Sequence, residues 1–282
     1  MELNSPLEVL NRFKKFSKSF YPESISNIAE PIENHSTIQT FKKRIEGNEH
    51  EKCFFVVNMI NGKNREPEIS YSCNAKQLFN TSHFELIDYF RMLPPLHLKA
   101  LFESSVTIFE QLKGYKHEFS IDNHYQVHTP LKIFVGNKPR YVLAKRKLFP
   151  FLYSDDNTLY AYINEVSIEN RFLNEEEFLK YPLEPMILFD INNIEKTFTD
   201  IIRQNLKIEN FLPFKDRRLE VLKAYCKNEN LESQELALEL GISQSTLDTH
   251  HRDILRISRE ELGLFFSNIR LCARYFAKWW LV

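Results

Sequence analysis

The chain has few of the residues on which several classes of active site depend. It contains only six glycines in 282 residues and has no GxGxxG, GxSxG or P-loop sequence. Loops that cradle phosphates need glycine because the backbone must approach the ligand closely. The HExxH motif is absent as well. The sequence therefore predicts a protein that is not an enzyme and that binds no cofactor.

Cysteine and long apolar runs are also sparse. The four cysteines, at positions 53, 73, 226 and 272, form no CxxC pair, which disfavours a zinc site and a disulfide framework. No segment approaches the ~20 apolar residues of a membrane helix. The N-terminal segment has charges among its apolar residues and lacks a signal-peptide core. These features predict a soluble, cytoplasmic protein with no membrane contact.

The chain has almost no net charge, with 37 Lys and Arg residues against 38 Asp and Glu residues. No overall electrostatic field therefore attracts it to nucleic acid, and any such affinity must come from local cations and from the pairing of two copies. The hydrophobic fraction of 43% and the 24 phenylalanines predict well-packed globular structure, and the length predicts two domains.

Three histidines are candidate ligands of a metal or a haem: His117, His124 and His128. The last two are four residues apart on a predicted strand. They would lie about 13 Å apart by strand rise, too far to share one ion. We therefore predict no metal site, and a single axial histidine is the alternative.

The most informative stretch of the chain runs from Ser233 to Ile257. Its pattern predicts two short helices joined by a tight turn, with Ser233 and Ser243 as their N-caps and Gly241 ending the first helix. Apolar residues are spaced to form one buried face on each helix: Leu236, Ala237 and Leu240 on the first, and Leu247, Ile254 and Leu255 on the second.

The second of these helices has a polar face opposite its apolar one, which we call the ridge. The ridge comprises Ser245, Asp248, Thr249, Arg252 and Arg256. Compact donors and acceptors beside arginines are what a recognition helix needs in the major groove of DNA. We predict base contacts from the first four ridge residues and phosphate contacts from Arg256, Gln244 and Lys215. The same pattern also fits an ordinary amphipathic surface helix.

The segments LPFKDRRLEVLKAY and SQELALELGISQSTLDTHHRDIL resemble the LuxR (GerE-type) helix-turn-helix of bacterial regulators. The resemblance covers the last quarter of the chain and implies binding to double-stranded DNA by a homodimer. The matching residues are Leu212, Arg217, Glu220, Val221, Leu222, Glu235, Ala237, Leu240, Ile242, Ser243, Thr246, Thr249, His250, Ile254 and Leu255.

Three positions depart from that family pattern. Asp248 stands where the family usually has a basic residue, Asn228 stands near a usual glycine, and Leu236 replaces isoleucine. Phosphate repels an aspartate, so Asp248 either accepts from a cytosine amino group or weakens DNA binding. His250 is expected to orient or pack rather than to read bases.

The preceding part of the chain predicts an α+β domain. Two strands around Asn61 and Gly62 are followed by a helical block and then by three strand-like segments joined by short turns. We predict a five-stranded antiparallel sheet with helices on one face, and this order resembles a PAS sensor domain. A phosphoacceptor receiver would instead alternate strands and helices around a parallel sheet.

The predicted organisation has four parts. Residues 1–50 form a helical cap, 51–172 the PAS-like sensor, 173–210 a linker helix region and 211–282 the LuxR-type domain. In the linker, Ile194, Phe198, Ile201 and Ile202 lie on one helical face that could transmit a signal. At the end of the chain, Ile269, Cys272, Ala273, Phe276 and Trp280 form a face that closes the last domain or pairs two copies.

The strands of the sensor offer two further predictions. Their aromatic and aliphatic residues form either a filled core or the lining of an apolar ligand cavity: Tyr125, Val127, Leu131, Ile133, Tyr141, Leu143, Tyr160, Tyr162 and Ile163. The basic run from Lys138 to Lys147 predicts a solvated edge strand whose charges prevent aggregation, with contact to acidic partners as the alternative.

The sequence as a whole predicts a cytoplasmic, dimeric transcriptional regulator in which a sensor responds to a small-molecule or protein signal. The alternative is a protein-interaction scaffold whose helix-turn-helix no longer binds DNA. The near-zero net charge and Asp248 are compatible with that alternative.

Overall fold

Two hydrophobic clusters organise the residues that the computed structural model describes, namely 5–23, 32–61, 64–113, 124–135, 138–170, 173, 187–189, 212–228 and 230–280. The sheet cluster has the helices α1 (Pro6–Phe20), α2 (Ser36–Ile45), α3 (Ala75–Phe79), α4 (Leu86–Met92) and α5 (Pro95–Leu112), with a 3-10 turn at Ile32–Asn34. Its strands are β1 (Lys52–Asn61), β2 (Glu66–Cys73), β3 (His124–Val135), β4 (Lys138–Tyr153), β5 (Leu159–Asn170) and β6 (Ile187–Phe189). The helical cluster has α6 (Asp216–Lys227), α7 (Ser233–Glu239), α8 (Gln244–Leu262) and α9 (Ile269–Trp280).

The strands form one antiparallel sheet in the order β2-β1-β5-β4-β3-β6. The five predicted strands are all present, and three of the pairings join strands that are neighbours in sequence. The pairing of β1 with β5 is different, because it joins Lys52 to Ser167 across the intervening helices and strands. The segment between these two paired strands includes α3, α4 and α5.

The sixth strand corrects the prediction for the start of the linker region. Residues 187–189, expected to begin a helix, instead pair with β3, with His124 opposite Phe189 and Gln126 opposite Ile187. Without β6, the backbone of β3 would have no strand partner at this end. The hydrogen bonds with β3 therefore decide the conformation of residues 187–189, against their local helical pattern. The predicted helical face at Ile194, Phe198, Ile201 and Ile202 lies outside the described residues.

Helices cover both faces of the sheet, not one face as predicted. Phe54 and Phe55 are adjacent on β1 and therefore point to opposite faces. The ring of Phe54 lies 5.4 Å from that of Phe41 on α2, whereas Phe55 lies 5.0 Å from Tyr89 on α4. The residues from Cys53 to Ile60 are all buried. This run, which is apolar except for Asn58, is typical of a strand that is covered on both sides.

The basic stretch on β4 is also placed differently from the prediction. Strand β4 lies between β3 and β5 and pairs with both of them, so it is not an edge strand. Lys145 lies 3.7 Å from Glu169 on β5. Arg146, by contrast, is only 3% exposed. The charges of this stretch therefore do not protect a free edge, and one of them lies in the interior of the protein.

Helix α1 shows how local sequence directs a segment onto the sheet cluster. Ser5 caps the helix by accepting a hydrogen bond from the Glu8 backbone N–H at 3.2 Å, and a proline follows at the first helical position. Val9, Phe13 and Ser17 are spaced four residues apart and form the buried stripe. The Ser17 hydroxyl donates to the Met59 carbonyl of β1. The stripe thus joins α1 directly to the sheet.

The helical cluster is closed by α9, as the apolar face of that helix predicted. Ile269, Cys272, Ala273 and Phe276 are buried, and the Cys226 thiol of α6 donates to the Ala273 carbonyl at 3.2 Å. The side chain of Trp280, also assigned to this face, lies outside the described residues. None of the four cysteines is in a disulfide. No helix in the described part of the chain combines the length and the apolar character that a bilayer crossing requires.

The two clusters touch at the start of α5. Leu96 is fully buried among residues of the helical cluster although it belongs to a helix of the sheet cluster. Tyr141 on β4 and Leu173 are partly buried against the same cluster, and the Leu173 backbone N–H donates to the Tyr141 carbonyl at 2.8 Å. The contact therefore involves both a helix and the sheet.

Candidate nucleic-acid interface

A tight turn sets the angle between α7 and α8. Gly241 has a φ of +63°, the left-handed region in which glycine has no steric cost. The Ile242 N–H donates to the Ala237 carbonyl at 2.9 Å and the Gly241 N–H to the Leu238 carbonyl at 3.1 Å. These two bonds form a Schellman motif, which satisfies carbonyls left free at the end of α7. The predicted role of Gly241 is confirmed.

The two predicted caps have different outcomes. Ser243 caps α8, because its Oγ accepts a hydrogen bond from the Thr246 backbone N–H at 3.2 Å. Ser233 is wrong as the cap of α7, since the cap residue is Glu232 and makes no side-chain cap bond. Ser233 is the first residue inside the helix, where its hydroxyl shares a 3.0 Å hydrogen bond with Tyr225 of α6. This tertiary contact offers the hydroxyl an alternative to the backbone N–H groups.

The apolar faces of α7 and α8 anchor the pair to the rest of the cluster. Leu236, Leu247 and Ile254 are fully buried, and Ala237 is 5% exposed. Burial of each of the three larger side chains stabilises the folded state by about 1.5–3 kcal/mol relative to an exposed position. The contribution of the smaller alanine is less. The core contacts of α8 therefore fix its orientation. The opposite face is not needed for packing in the cluster.

The ridge lies on that opposite face and is accessible to solvent. Every predicted contact residue is exposed: Ser245, Asp248, Thr249, Arg252, Arg256, Gln244 and Lys215. The first six share α8, whereas Lys215 lies at the N-cap of α6. The structure thus brings six of the seven residues onto one helix, and their polar atoms can be reached by a macromolecular partner.

Hydrogen bonds within α8 order part of the ridge. The Gln244 side-chain amide donates to Asp248 Oδ1 at 3.1 Å. The Thr249 hydroxyl donates to the Ser245 carbonyl at 2.9 Å, and Arg252 Nη2 donates to Thr249 Oγ1 at 3.3 Å. The amide of Gln244 therefore partly offsets the negative charge of Asp248, and Arg252 is held against its own helix without an ion pair among the described residues.

Arg256 differs from Arg252 because it already has anionic partners. Its guanidinium lies 2.7 Å from Glu260 and 3.6 Å from Asp253. The hydrogen bond with Glu260, followed by the charge of that residue, raises the pKa of Arg256. A phosphate must compete with these two carboxylates for the same guanidinium, so the phosphate role expected of Arg256 requires rearrangement of this group.

Two further residues lie next to the ridge residues on α8 and were not singled out by the sequence. Arg259 lies seven residues after Arg252, hence on the same side of α8, and its guanidinium lies over the exposed ring of Phe265 at 5.4 Å. The helical period alone could have found it. His251 lies below the ridge with its ring 5.4 Å from that of Tyr225. Burial lowers the pKa of His251, which favours the neutral, packing form.

Replacement of Ser243 by alanine should destabilise the start of α8. The change removes the hydrogen bond to the Thr246 N–H and is expected to lower the free energy of unfolding by about 1 kcal/mol. Urea unfolding of the full chain measures this. Ser267→Ala is the matched control, because Ser267 is exposed and outside the helices. Equal stability of the two variants would contradict the capping role.

The histidines considered as ligands have ordinary surroundings. His124 lies with its ring 5.2 Å from that of Phe149, and His128 Nε2 lies 3.1 Å from Glu169. His117 lies outside the described residues. Among the residues that the structure describes, no group of three or more His, Cys, Asp or Glu side chains is arranged to hold a metal ion.

Comparisons with known proteins give distant structural matches. No family model and no curated protein sequence matches the chain. A phage VqmA–DPO complex is 12% identical, with coverage of 86% of this chain and 89% of that one and a TM-score of 0.27. Escherichia coli SdiA is 13% identical, with coverage of 86% and 89% and a TM-score of 0.23. A complex of SdiA with octanoyl-rac-glycerol is 13% identical, with coverage of 96% and 93% and a TM-score of 0.22.

Proposed function

We propose that this chain is a DNA-binding transcriptional regulator whose α7–α8 pair acts as a helix-turn-helix of the LuxR type. The observation that carries the proposal is the division of α8 into a buried apolar face and an exposed polar ridge. A recognition helix needs both, since its core side fixes its angle and its outer side reads base edges. The Schellman turn and the Ser243 cap support this role because they define where α8 begins.

The N-terminal part is proposed to be a PAS-like sensor. A hairpin, three helices and three further strands follow one another, and the pairing of β1 with β5 closes the arrangement. We assign residues 51–172 to this sensor, with residues 1–50 as its helical cap and residues 211–282 as the DNA-binding domain. The signal is a small molecule or a protein. The region 173–210 joins the domains, with its strand β6 belonging to the sheet.

We further propose that two copies act together on two-fold related half-sites. The near-zero net charge of the chain leaves each copy with few phosphate contacts, and a dimer doubles their number. Within the proposed dimer, Ser245, Asp248, Thr249 and Arg252 contact base edges, whereas Arg256, Gln244 and Lys215 contact phosphates.

One observation favours a second candidate function, that of a protein-interaction scaffold. The pairing of Arg256 with Glu260 and Asp253, together with the exposed carboxylate of Asp248, reduces the positive charge of the ridge. A surface of alternating charges suits a protein partner better than a phosphate backbone. The test of the proposed function must therefore separate these two candidates.

Selection of bound fragments from random DNA, followed by affinity measurements with increasing salt, separates them. With two phosphate-contacting cations, Arg256 and Lys215, in each of two copies, the dissociation constant should rise roughly 10²-fold between about 50 and 200 mM salt, because phosphate neutralisation releases counterions. Lys215→Ala should reduce the salt slope by about one for each copy without changing the selected sequence. If no fragment is retained even at low salt, the scaffold function replaces the regulator.

A further inference from the structure

A buried arginine lies in the interior of the sheet cluster. Arg146 on β4 is 3% exposed, and its guanidinium lies over the ring of Tyr89 on α4 at 5.2 Å. The register places it on the same face as Asn164 and Phe55, which is the face that α4 and α5 cover. The charge is therefore enclosed between the sheet and these helices and does not reach the surface.

The neighbours of Arg146 do not neutralise its charge. Its Nη2 donates to Asn164 Oδ1 at 2.9 Å, a neutral acceptor, and its Nε has no hydrogen-bond partner among the described residues. No carboxylate in the described part of the chain pairs with it. On the opposite face of the sheet, Arg44 lies 3.1 Å from the buried carboxylate of Glu165. Proteins rarely bury a guanidinium without an anion, because the desolvation of the charge is then uncompensated.

Tyr89, whose ring centroid lies 5.2 Å from the Arg146 guanidinium, carries a second polar group without a partner among the described residues. Tyr89 is 2% exposed and its hydroxyl has no hydrogen-bond partner among the described residues. Burial raises the pKa of Tyr89, so the hydroxyl stays protonated and acts as a donor. Arg146 Nε is likewise a donor. Arg146 Nε and the Tyr89 hydroxyl therefore each have a hydrogen to donate and no acceptor oxygen among the described residues.

A comparison with Tyr275 shows that the arginine distinguishes this place from ordinary packing. The Tyr275 hydroxyl in the helical cluster is also buried and has no partner in the described residues. Its ring contacts, however, are the rings of Phe266 and Phe276, and no cation of the described residues lies over its ring. An orphaned hydroxyl alone is thus compatible with a filled core. An orphaned hydroxyl beside a buried guanidinium that has no carboxylate partner is, by contrast, a place where an anion would be stabilised.

We propose that Arg146, Tyr89 and Asn164 form an internal recognition site for a small apolar carboxylic acid. Its carboxylate accepts hydrogen bonds from Arg146 Nε and the Tyr89 hydroxyl, while Asn164 holds the guanidinium in place through Nη2. The neighbouring rings of Phe55 and Tyr162 provide contacts for an apolar body. The proposal rests on the sensor role proposed above and names the chemical class of its signal.

Thermal unfolding of the full-length protein with two carboxylates and their amides tests the site. Benzoate and hexanoate should raise the melting temperature in proportion to the logarithm of their concentration, because both bind only the folded state. Benzamide and hexanamide should raise it much less, since they carry no charge for Arg146. The Arg146→Gln variant should bind the carboxylates on the order of 100-fold more weakly, because a buried charge pair is lost.

Two tyrosine variants provide the matched comparison. Tyr89→Phe removes only the hydroxyl and should weaken carboxylate binding about 10-fold, whereas Tyr275→Phe removes an equally buried hydroxyl elsewhere and should leave it unchanged. If Arg146→Gln does not fold, the tyrosine pair decides. The proposal is overturned if acids and amides shift the melting temperature equally, if neither shifts it, or if Tyr89→Phe and Tyr275→Phe bind alike. The carboxylate measurement contains no DNA, so a negative result leaves the assignment as a DNA-binding regulator intact. Conversely, if the protein retains no DNA in the selection experiment, the carboxylate measurement remains valid.

Discussion

Replacement of Arg252 by alanine is expected to lower the affinity for a selected DNA site roughly 100-fold while leaving the fold intact. Each bidentate contact to a base contributes about 1–3 kcal/mol of discrimination, and a dimer loses two of them. Arg252 is exposed, and its hydrogen bonds go to Thr249 Oγ1 and the Asp248 carbonyl within α8. Its removal therefore disturbs no contact with the core.

The measurement is a titration of labelled DNA with wild type and variant at one salt concentration. Lys227→Ala is the control, because it removes an exposed cation from a different helix of the same cluster. The control should lose much less affinity than Arg252→Ala. The assigned role of Arg252 fails if the two variants bind alike, or if circular dichroism shows that Arg252→Ala has unfolded.

Alanine at Gly263 should destabilise the protein more than alanine at Gly241, although both glycines have nearly the same backbone conformation. Their φ values are +66° and +63°, so each substitution costs about 1 kcal/mol in backbone strain. At Gly241 a Cβ would have nothing within 4 Å, whereas at Gly263 it would lie 2.8 Å from Pro95 Cδ. This overlap adds about 1–3 kcal/mol.

Urea unfolding of the two full-length variants isolates the contact between the clusters. The difference in unfolding free energy, expected to be about 2 kcal/mol, reports the overlap with Pro95 because the backbone strain cancels. Gly263 is the C-cap of α8, and Pro95 is the first residue of α5. The pair is thus the place where the proposed recognition helix meets the proposed sensor. Equal destabilisation by Gly263→Ala and Gly241→Ala would mean that Pro95 moves aside without a measurable free-energy cost.

Features set by local sequence were predicted correctly. The hairpin between β1 and β2 follows from its turn residues, and the exposure of the ridge follows from the helical period that buries Leu247 and Ile254. Helix boundaries were less certain. Ser233 has the composition of a cap, but the hydroxyl of Tyr225 competes for it, and this competitor is visible only when α6 and α7 are in contact.

Features that depend on distant pairing were not predictable. The basic run on β4 has the composition of an edge strand, and only the presence of partners on both sides shows that Arg146 is enclosed. Strand β6 has too few residues to stand out, since its three residues acquire their conformation from β3. The cover on the second face of the sheet comes from α2, whose position along the chain does not reveal which face it reaches.

The sequence by itself determined the five main strands, the two faces of α8 and the residues exposed on its ridge, because helical and strand periodicity act between residues close in the chain. Only the tertiary structure decided that Arg146 is buried beside Tyr89, that helices cover both faces of the sheet, and that Leu96 joins the helical cluster. These outcomes depend on which distant segments meet. Hydrophobic burial stabilises contacts between distant segments, but it is non-directional. A local sequence pattern therefore does not specify which distant segment a given segment packs against.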